Sequence, residues 1–362
     1  EKRLLISLCR MEVRMKSNRL LALTTLCLIL TACRARQPEQ TAQAATALPQ
    51  ISPSHPELTP TPSSTPQPSQ TPSPQPSPTP AYPDLGLAAE SAVLLDAASG
   101  TLLYAKNEQE PLYPASTVKM MTALLALEYL DPQEEVRLGD EINLAWTVTR
   151  LDAQKAGLQY NETLQVEELL YALLLPSGSD AAFALAVATA RKAADDPYLS
   201  LGESLDLFAQ LMNERAAELG ATQTRYINPD GYQDALQKTT AYDTALVAQA
   251  AMHAALFRQI VACPHYERAG VFNGNSPASW DNSNRLLQTD LPEYDPAAIG
   301  IKTGTSTEAG ACLVSAEEID GRLVIAVVLH SVSSQVWADS QRLLDYAARL
   351  TPVPILAAGP AE

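Results

Sequence analysis

Between Arg34 and Pro83 the chain carries 14 of its 27 prolines, and that stretch decides where a fold can lie. Residues 37–83 are almost entirely Pro, Ser, Thr and Gln, with too little apolar surface to offset the entropy of ordering them. The expectation is an extended, partly polyproline tether over 34–84, reaching of order 140 Å at about 3.1 Å per residue. A packed core must therefore come downstream. Of the 362 residues, 85–350 are expected to form one domain and 351–362 a tail.

Upstream of the tether the chain begins at Glu1, and Met15 opens a better unit. Residues 15–19 (Met-Lys-Ser-Asn-Arg) are basic and 20–30 are apolar; that run is too short to span a bilayer, which takes about 20 residues. A basic start followed by an apolar core fits a secretory signal. The run closes in Leu30-Thr31-Ala32-Cys33, which resembles the bacterial lipobox, whose cysteine is diacylated and becomes the mature N-terminus. Residues 1–33 are thus read as a lipoprotein signal peptide with an upstream extension, 1–14. The expected location is extracytoplasmic, lipid-anchored through Cys33 to the bacterial cell membrane.

The formal charge of −16, from 41 acidic against 25 basic residues, excludes a nucleic-acid partner, which needs a basic footprint. Cys9, Cys27 and Cys33 fall in the N-terminal segment, leaving Cys263 and Cys312 in the body. Neither a Cys-x-x-Cys pair nor a second half to Cys263-Pro-His265 is present, so no metal and no cofactor are expected. The two body cysteines are read as buried free thiols.

Along 85–350 the apolar pattern predicts a β-hairpin from 92–96 and 101–104. Helices are predicted over 117–130, 166–175, 181–194, 205–219 and from Thr240 to about residue 255, with Thr240 as cap. Residues 138–156 are expected to be irregular, and Asn228-Pro-Asp-Gly231 reads as a turn on composition. Strands are expected over 299–304, 311–315 and 323–329, the last apolar enough to be central, before a closing helix at 337–350. Strands at both ends with helices between predict an α/β domain whose sheet is assembled from both ends of the chain.

The chemistry centres on Pro114-Ala-Ser-Thr-Val-Lys119. Residues three apart on a helix share a face, so Lys119 can lie beside the Ser116 hydroxyl as base beside nucleophile. Val118, Met120, Met121, Leu124, Leu125 and Leu127 surround that helix with apolar residues, so Lys119 is expected to be buried. A lysine acting as base near neutrality needs its pKa lowered by roughly 3 units from about 10.4. Desolvation and a second nearby cation are the expected causes. Taken alone, Ser-x-x-Lys is also what an N-capping serine followed by a snorkelling lysine looks like.

Three elements occur in order: Ser116-x-x-Lys119, Ser177-Gly178-Ser179 and Lys302-Thr303-Gly304. That order is known from penicillin-binding proteins and class A β-lactamases. With the flanking Leu-Leu-Leu-Pro-Ser-Gly-Ser-Asp-Ala-Ala and Gly-Ile-Lys-Thr-Gly-Thr, residues 85–350 resemble the low-molecular-mass serine-type D-alanyl-D-alanine carboxypeptidases. The resemblance implies a β-lactamase/transpeptidase-like fold: an antiparallel sheet flanked by helices, with an all-helical subdomain. It implies removal of the terminal D-alanine from the peptidoglycan stem peptide, with β-lactams as covalent inhibitors. In that scheme Ser116 attacks, Lys119 takes its proton, and Ser177 relays a proton to the leaving nitrogen. Lys302 supplies positive charge near Ser177, Thr303 binds the substrate carboxylate, and Gly304 lets the strand lie against the peptide. The N–H groups of Ser116 and Thr305 make the oxyanion hole.

The chain departs from the family pattern at Ser179, where Asn is usual. A serine is too short to reach both Lys119 and the substrate's acyl-side carbonyl, so slower acylation is expected. The alternatives are a non-catalytic cell-wall binder or β-lactam sensor of the same fold, and a β-lactamase. The latter lacks the Glu-x-x-Leu-Asn pattern that would position a deacylating water. A Ser-His-Asp hydrolase has no Gly-x-Ser-x-Gly elbow here. With the sequence ending at Glu362, no further β-domain or C-terminal membrane helix is expected, and the lipid on Cys33 is expected to serve as the anchor.

Overall fold

The structure is a computed structural model that describes residues 82–268, 277 and 279–350. The chain divides into two units, Glu1–Pro76 and Ser77–Glu362, and all the described residues belong to the second. The sequence-based assignments of 1–33, 34–81 and 351–362, Cys33 among them, lie outside the described residues.

The domain opens with the expected hairpin, β1 (Ser91–Asp96) and β2 (Leu102–Lys106). A 3-10 helix, Ala115–Val118, leads into α1 (Lys119–Tyr129), and Leu130 ends it in extended backbone. Next come β3 (Glu135–Arg137), 3-10 helices at Asp140–Trp146 and Val148–Arg150, and β4 (Thr163–Gln165), which pairs with β3. Four helices follow after that: α2 (Val166–Leu174), α3 (Ser179–Ala193), α4 (Leu201–Glu218) and α5 (Ala241–His253). The short α6 (Ala255–Val261) precedes a small ladder of β5 (His265–Glu267) and β6 (Ser279–Asp281). The chain then makes β7 (Ala298–Ser306), β8 (Gly310–Ile319), β9 (Arg322–Ser331) and α7 (Val336–Arg349).

Strands β2, β1, β9, β8 and β7 form one antiparallel sheet in that order. The most apolar run, Leu323-Val-Ile-Ala-Val-Val-Leu329, is its middle strand, as the pattern predicts. Residues alternate between two cores because strand side chains alternate faces. Val93, Leu95, Val314, Ile325 and Val327 join the larger core, while Leu94, Leu313, Val324, Ala326 and Val328 pack with Leu343 and Leu344 of α7. Each of these strand residues is almost wholly buried, and truncating one such as Leu94 to Ala would cost about 2–5 kcal/mol.

Helix α1 touches α5, which packs on β1 and β9, and also α2, α3 and α4. It therefore sits between the sheet layer and the helical part, which explains why it is apolar on nearly every side. Helix α4 starts four residues before the expected boundary. Ser200 Oγ accepts from the Glu203 N–H while the Glu203 carboxylate accepts from the Ser200 N–H, both at 3.3 Å, a capping box. Thr240 caps α5 as expected, its hydroxyl accepting from Asp243 N. The stretch expected to be irregular, 138–156, contains the two 3-10 helices. Among the described residues no helix is long and apolar enough to cross a membrane.

Candidate active site

Ser116 lies in the 3-10 turn just ahead of α1 rather than within a continuous α-helix. The tighter winding eclipses residues i and i+3 and sets Lys119 Nζ 2.9 Å from Ser116 Oγ. Lys119 also donates to the Asp230 carbonyl at 2.6 Å, and one turn on, Thr122 Oγ1 donates to the Pro229 carbonyl at 2.6 Å. Helix α1 thus grips two successive carbonyls of the Asn228–Gly231 turn. Asn228 closes that turn from inside, its Oδ1 accepting from Gly231 N at 2.9 Å and its Nδ2 donating to Tyr232 O at 2.8 Å.

Two glycines press on the nucleophile's backbone from opposite elements. A Cβ on Gly231 would sit 1.9 Å from Ala115 O, and one on Gly304 would sit 3.1 Å from Ser116 N. The space that Gly304 leaves open is thus filled by Ala115 and Ser116 of the chain itself, whereas the sequence pointed only to a bound peptide.

Burial pushes the Lys119 amine down to about 8, opposed by the carboxylates of Asp230 and Asp180 and aided by the Arg150 guanidinium. Arg150 is thus the second cation that sequence reasoning sought. Lys302 is 1% exposed and donates to Thr303 O at 3.0 Å. Burial, and then the charge of Lys119, hold it well below the ordinary lysine range. Burial thus opposes the positive charge expected at Lys302, and a carboxylate beside it would favour that charge.

Facing Ser116 across the cleft is the Ser177-Gly178-Ser179 turn. Ser177 is 4% exposed with a left-handed φ of 66°, a conformation costing about 1–3 kcal/mol. Its Oγ has no hydrogen-bond partner among the described residues, Lys302 included. Gly178 is the residue ahead of α3, and a Cβ there would meet Ala172 O at 2.5 Å. Ser179, 2% exposed, begins α3, two residues before the expected start, and its N–H donates to Gln154 O at 2.8 Å. The Asp180 carboxylate accepts from the N–H groups of Ala156, Gly157 and Leu158 at 2.8–3.0 Å, fastening that loop to the start of the helix.

On the third side, Thr303 Oγ1 of β7 lies 2.7 Å from Ser283 Oγ, and Ser283 N donates to Leu175 O. Ser116, Ser177, Ser179, Thr303, Gly304 and Thr305 all line one cavity of about 790 Å³, together with Gln154, Asp230, Tyr232 and Ser283. Lys119 and Lys302 are buried beside that lining. All eight site residues expected from sequence within the described part are brought together. Sequence reasoning missed Asp230, Arg150, Ser283 and Gln154. For Asp230 the available signal was the Asn-Pro-Asp-Gly turn itself; for the others no local pattern marks them.

Cys263 and Cys312 are free. Cys312 is buried, its thiol pushed up to about 11 by burial. Cys263 is only half-buried, contrary to expectation, with Sγ 2.9 Å from His265 O.

A hydroxyl against a buried amine of lowered pKa is equipped for nucleophilic attack on a carbonyl. An unpartnered second hydroxyl can pass a proton, and the Lys302–Thr303 end can hold a carboxylate. The comparisons agree with that chemistry. Residues 77–333 match the model of the family Peptidase_S11, D-alanyl-D-alanine carboxypeptidase. The chain is 30% identical to D-alanyl-D-alanine carboxypeptidase DacF of Bacillus subtilis over 265 residues, covering 73% of this chain and 63% of that one. It is 30% identical over 271 residues to a D-alanyl-D-alanine carboxypeptidase of Streptomyces sp. K15, covering 73% and 88%. The crystal structure of the Streptomyces K15 DD-transpeptidase superposes with a TM-score of 0.65 at 31% identity, covering 73% of this chain and 98% of that one. An evolved putative penicillin-binding protein homologue from Mycobacterium tuberculosis gives 0.62 at 28%, covering 77% and 97%. With the three elements in one cleft, an antiparallel sheet flanked by helices and a family match over most of its length, the chain belongs to the D-alanyl-D-alanine carboxypeptidase family Peptidase_S11.

Proposed function

We propose that this chain is a serine-type D-Ala-D-Ala carboxypeptidase, acting on peptidoglycan stem peptides through an acyl-enzyme and acylated by penicillins. The observation that carries this reading is the 2.9 Å contact of Ser116 Oγ with the buried Lys119 amine. Neutral Lys119 takes the hydroxyl proton as Oγ bonds to the carbonyl carbon of the penultimate D-Ala. The oxyanion is held by the N–H groups of Ser116 and Thr305, a contribution of about 2.7–4 kcal/mol per donor in such sites. Collapse breaks the C–N bond as the proton held by Lys119 is relayed through the Ser177 hydroxyl to the leaving D-Ala nitrogen, which leaves Lys119 neutral again, and water then hydrolyses the ester and restores Ser116. Lys302 and Thr303 hold the terminal carboxylate. Penicillin enters by the same attack, opening its ring amide.

The test pairs labelling by a fluorescent penicillin with D-Ala release from a pentapeptide. The wild type should do both and Ser116→Ala neither; D-Ala release by that variant would refute the mechanism. The buried, short Ser179 favours a second reading, a β-lactam sensor that acylates without turnover, which labelling without D-Ala release would identify. Adding an amine acceptor separates hydrolysis from peptide transfer.

Secretion and lipid anchoring through Cys33 are part of the proposal, supported by the basic start, the apolar run and Leu30-Thr31-Ala32-Cys33. Mass spectrometry of the membrane-extracted protein should find the diacylglyceryl group on Cys33, and Cys33→Ser should release the protein from the membrane fraction.

A further inference from the structure

Asp230 makes two contacts that bear on the same amine. Its carbonyl accepts from Lys119 Nζ at 2.6 Å. Its carboxylate, in a residue 2% exposed, receives Arg150 Nη1 at 2.9 Å on Oδ1 and 2.7 Å on Oδ2. Arg150 is itself fixed, its guanidinium 4.4 Å from the centre of the Tyr232 ring and 5.2 Å from that of Phe183. The Tyr232 hydroxyl bonds the Thr149 carbonyl and, at 3.2 Å, Asp152 Oδ1. Residues 149–152 and 230–232, some 80 positions apart, are thereby locked to each other beside the nucleophile.

We propose that Arg150 and Asp230 form a positioning pair for the Ser116–Lys119 couple, the guanidinium fixing the turn that carries the Asp230 carbonyl and neutralising the carboxylate beside the amine. The proposal rests on the reading of Lys119 as base. The charged groups that face Lys119 are Asp230 from the turn, Asp180 from α3, Arg150 from the 3-10 helix and Lys302 from β7. An unpaired carboxylate at Asp230 would favour the ammonium form, which cannot take a proton; the Arg150 charge opposes it. Phe183 and Tyr232 flank the guanidinium, and with the Asp230 side chain 1% and that of Arg150 18% exposed the pair is screened less than a surface ion pair.

The test is the pH profile of acylation by a fluorescent penicillin, read for wild type, Arg150→Gln, Arg150→Lys, Asp230→Asn and the double Arg150→Gln/Asp230→Asn variant. The same proteins, with lysines carrying ¹³C at Cε, are titrated by NMR to follow Lys119 directly. Arg150→Gln should move the acid limb up by about one pH unit, roughly a tenfold loss at pH 7 recovered at high pH. Asp230→Asn should move it down, and the double variant should return it near the wild type because the two effects act on one amine. Arg150→Lys keeps the charge and should leave the limb in place with reduced amplitude. A uniform loss at every pH, with the Lys119 titration unmoved, would overturn the proposal and leave Arg150 a structural residue. If the wild type is never acylated, the functional reading fails instead, and the lysine titration still decides between these outcomes.

Discussion

Gly231 lies against Ala115 so closely that a Cβ on it would sit 1.9 Å from the Ala115 carbonyl oxygen. Its φ of 81° is also left-handed. Gly231→Ala must therefore part the 228–231 turn from the nucleophile's backbone and draw the Asp230 carbonyl away from Lys119. We expect a stability loss of about 2 kcal/mol or more and at least a tenfold drop in acylation, read by denaturant unfolding and penicillin labelling. Gly202 in α4, with open space where its Cβ would go, is the control: Gly202→Ala should stabilise by about 0.5–1 kcal/mol.

The depressed Lys119 pKa gives a stability signature as well as a catalytic one. Its value of about 8 in the fold lies below the ordinary 10.5. Between those two pH values the unfolded chain binds the extra proton, so stability rises with pH through that window. Below pH 8 the burial costs about 3 kcal/mol. Lys119→Met lacks this dependence, so the stability of the wild type relative to that variant should climb between pH 8 and pH 10. Parallel profiles would show that the amine titrates at its ordinary value.

Ser179→Asn restores the longer amide at the start of α3, facing the cavity. Acylation by penicillin should rise about tenfold, the equivalent of one hydrogen bond of about 1.4 kcal/mol to the substrate's carbonyl. An unchanged rate in a normally folded variant would mean that another group already fills that role.

Ser283 holds the Thr303 hydroxyl at 2.7 Å. Removing it in Ser283→Ala frees the rotor that would bind the substrate carboxylate. The expectation is a KM for pentapeptide raised several-fold, within the roughly 1 kcal/mol of one hydrogen bond, with kcat little changed. A peptide ending in an amide should bind weakly to both proteins.

The three motifs of the candidate site were legible because each is a residue type at a fixed spacing: Ser116 and Lys119 one turn apart, Ser177 and Ser179 astride a glycine, Lys302 and Thr303 on a strand. So was the central position of β9, written in an unbroken apolar run, and the Thr240 cap. The Asn228–Gly231 turn was legible as a turn, yet its main contribution to the site is a backbone carbonyl, which every residue type provides and no sequence pattern marks. Arg150 fell in a stretch that reads as irregular, and its partner lies 80 positions away, so only the folded chain brings them together. The start of α4 was misplaced for a simpler reason: Ser200 and Glu203 spell a capping box that apolar periodicity alone ignores. Burial of Lys302 followed the same logic as Lys119, but an edge strand gives no local sign that its face is covered.

The pairing of β1 with β9 has a consequence for how the enzyme comes into being. The chain out to Ser331 must leave the ribosome before β1, already paired with β2, finds its second neighbour, so the sheet closes late. Until then Lys119 stays hydrated and protonated, and Ser116 is an ordinary alcohol. On the reading of Lys119 as base, the pair gains its reactivity only once the sheet has closed around it.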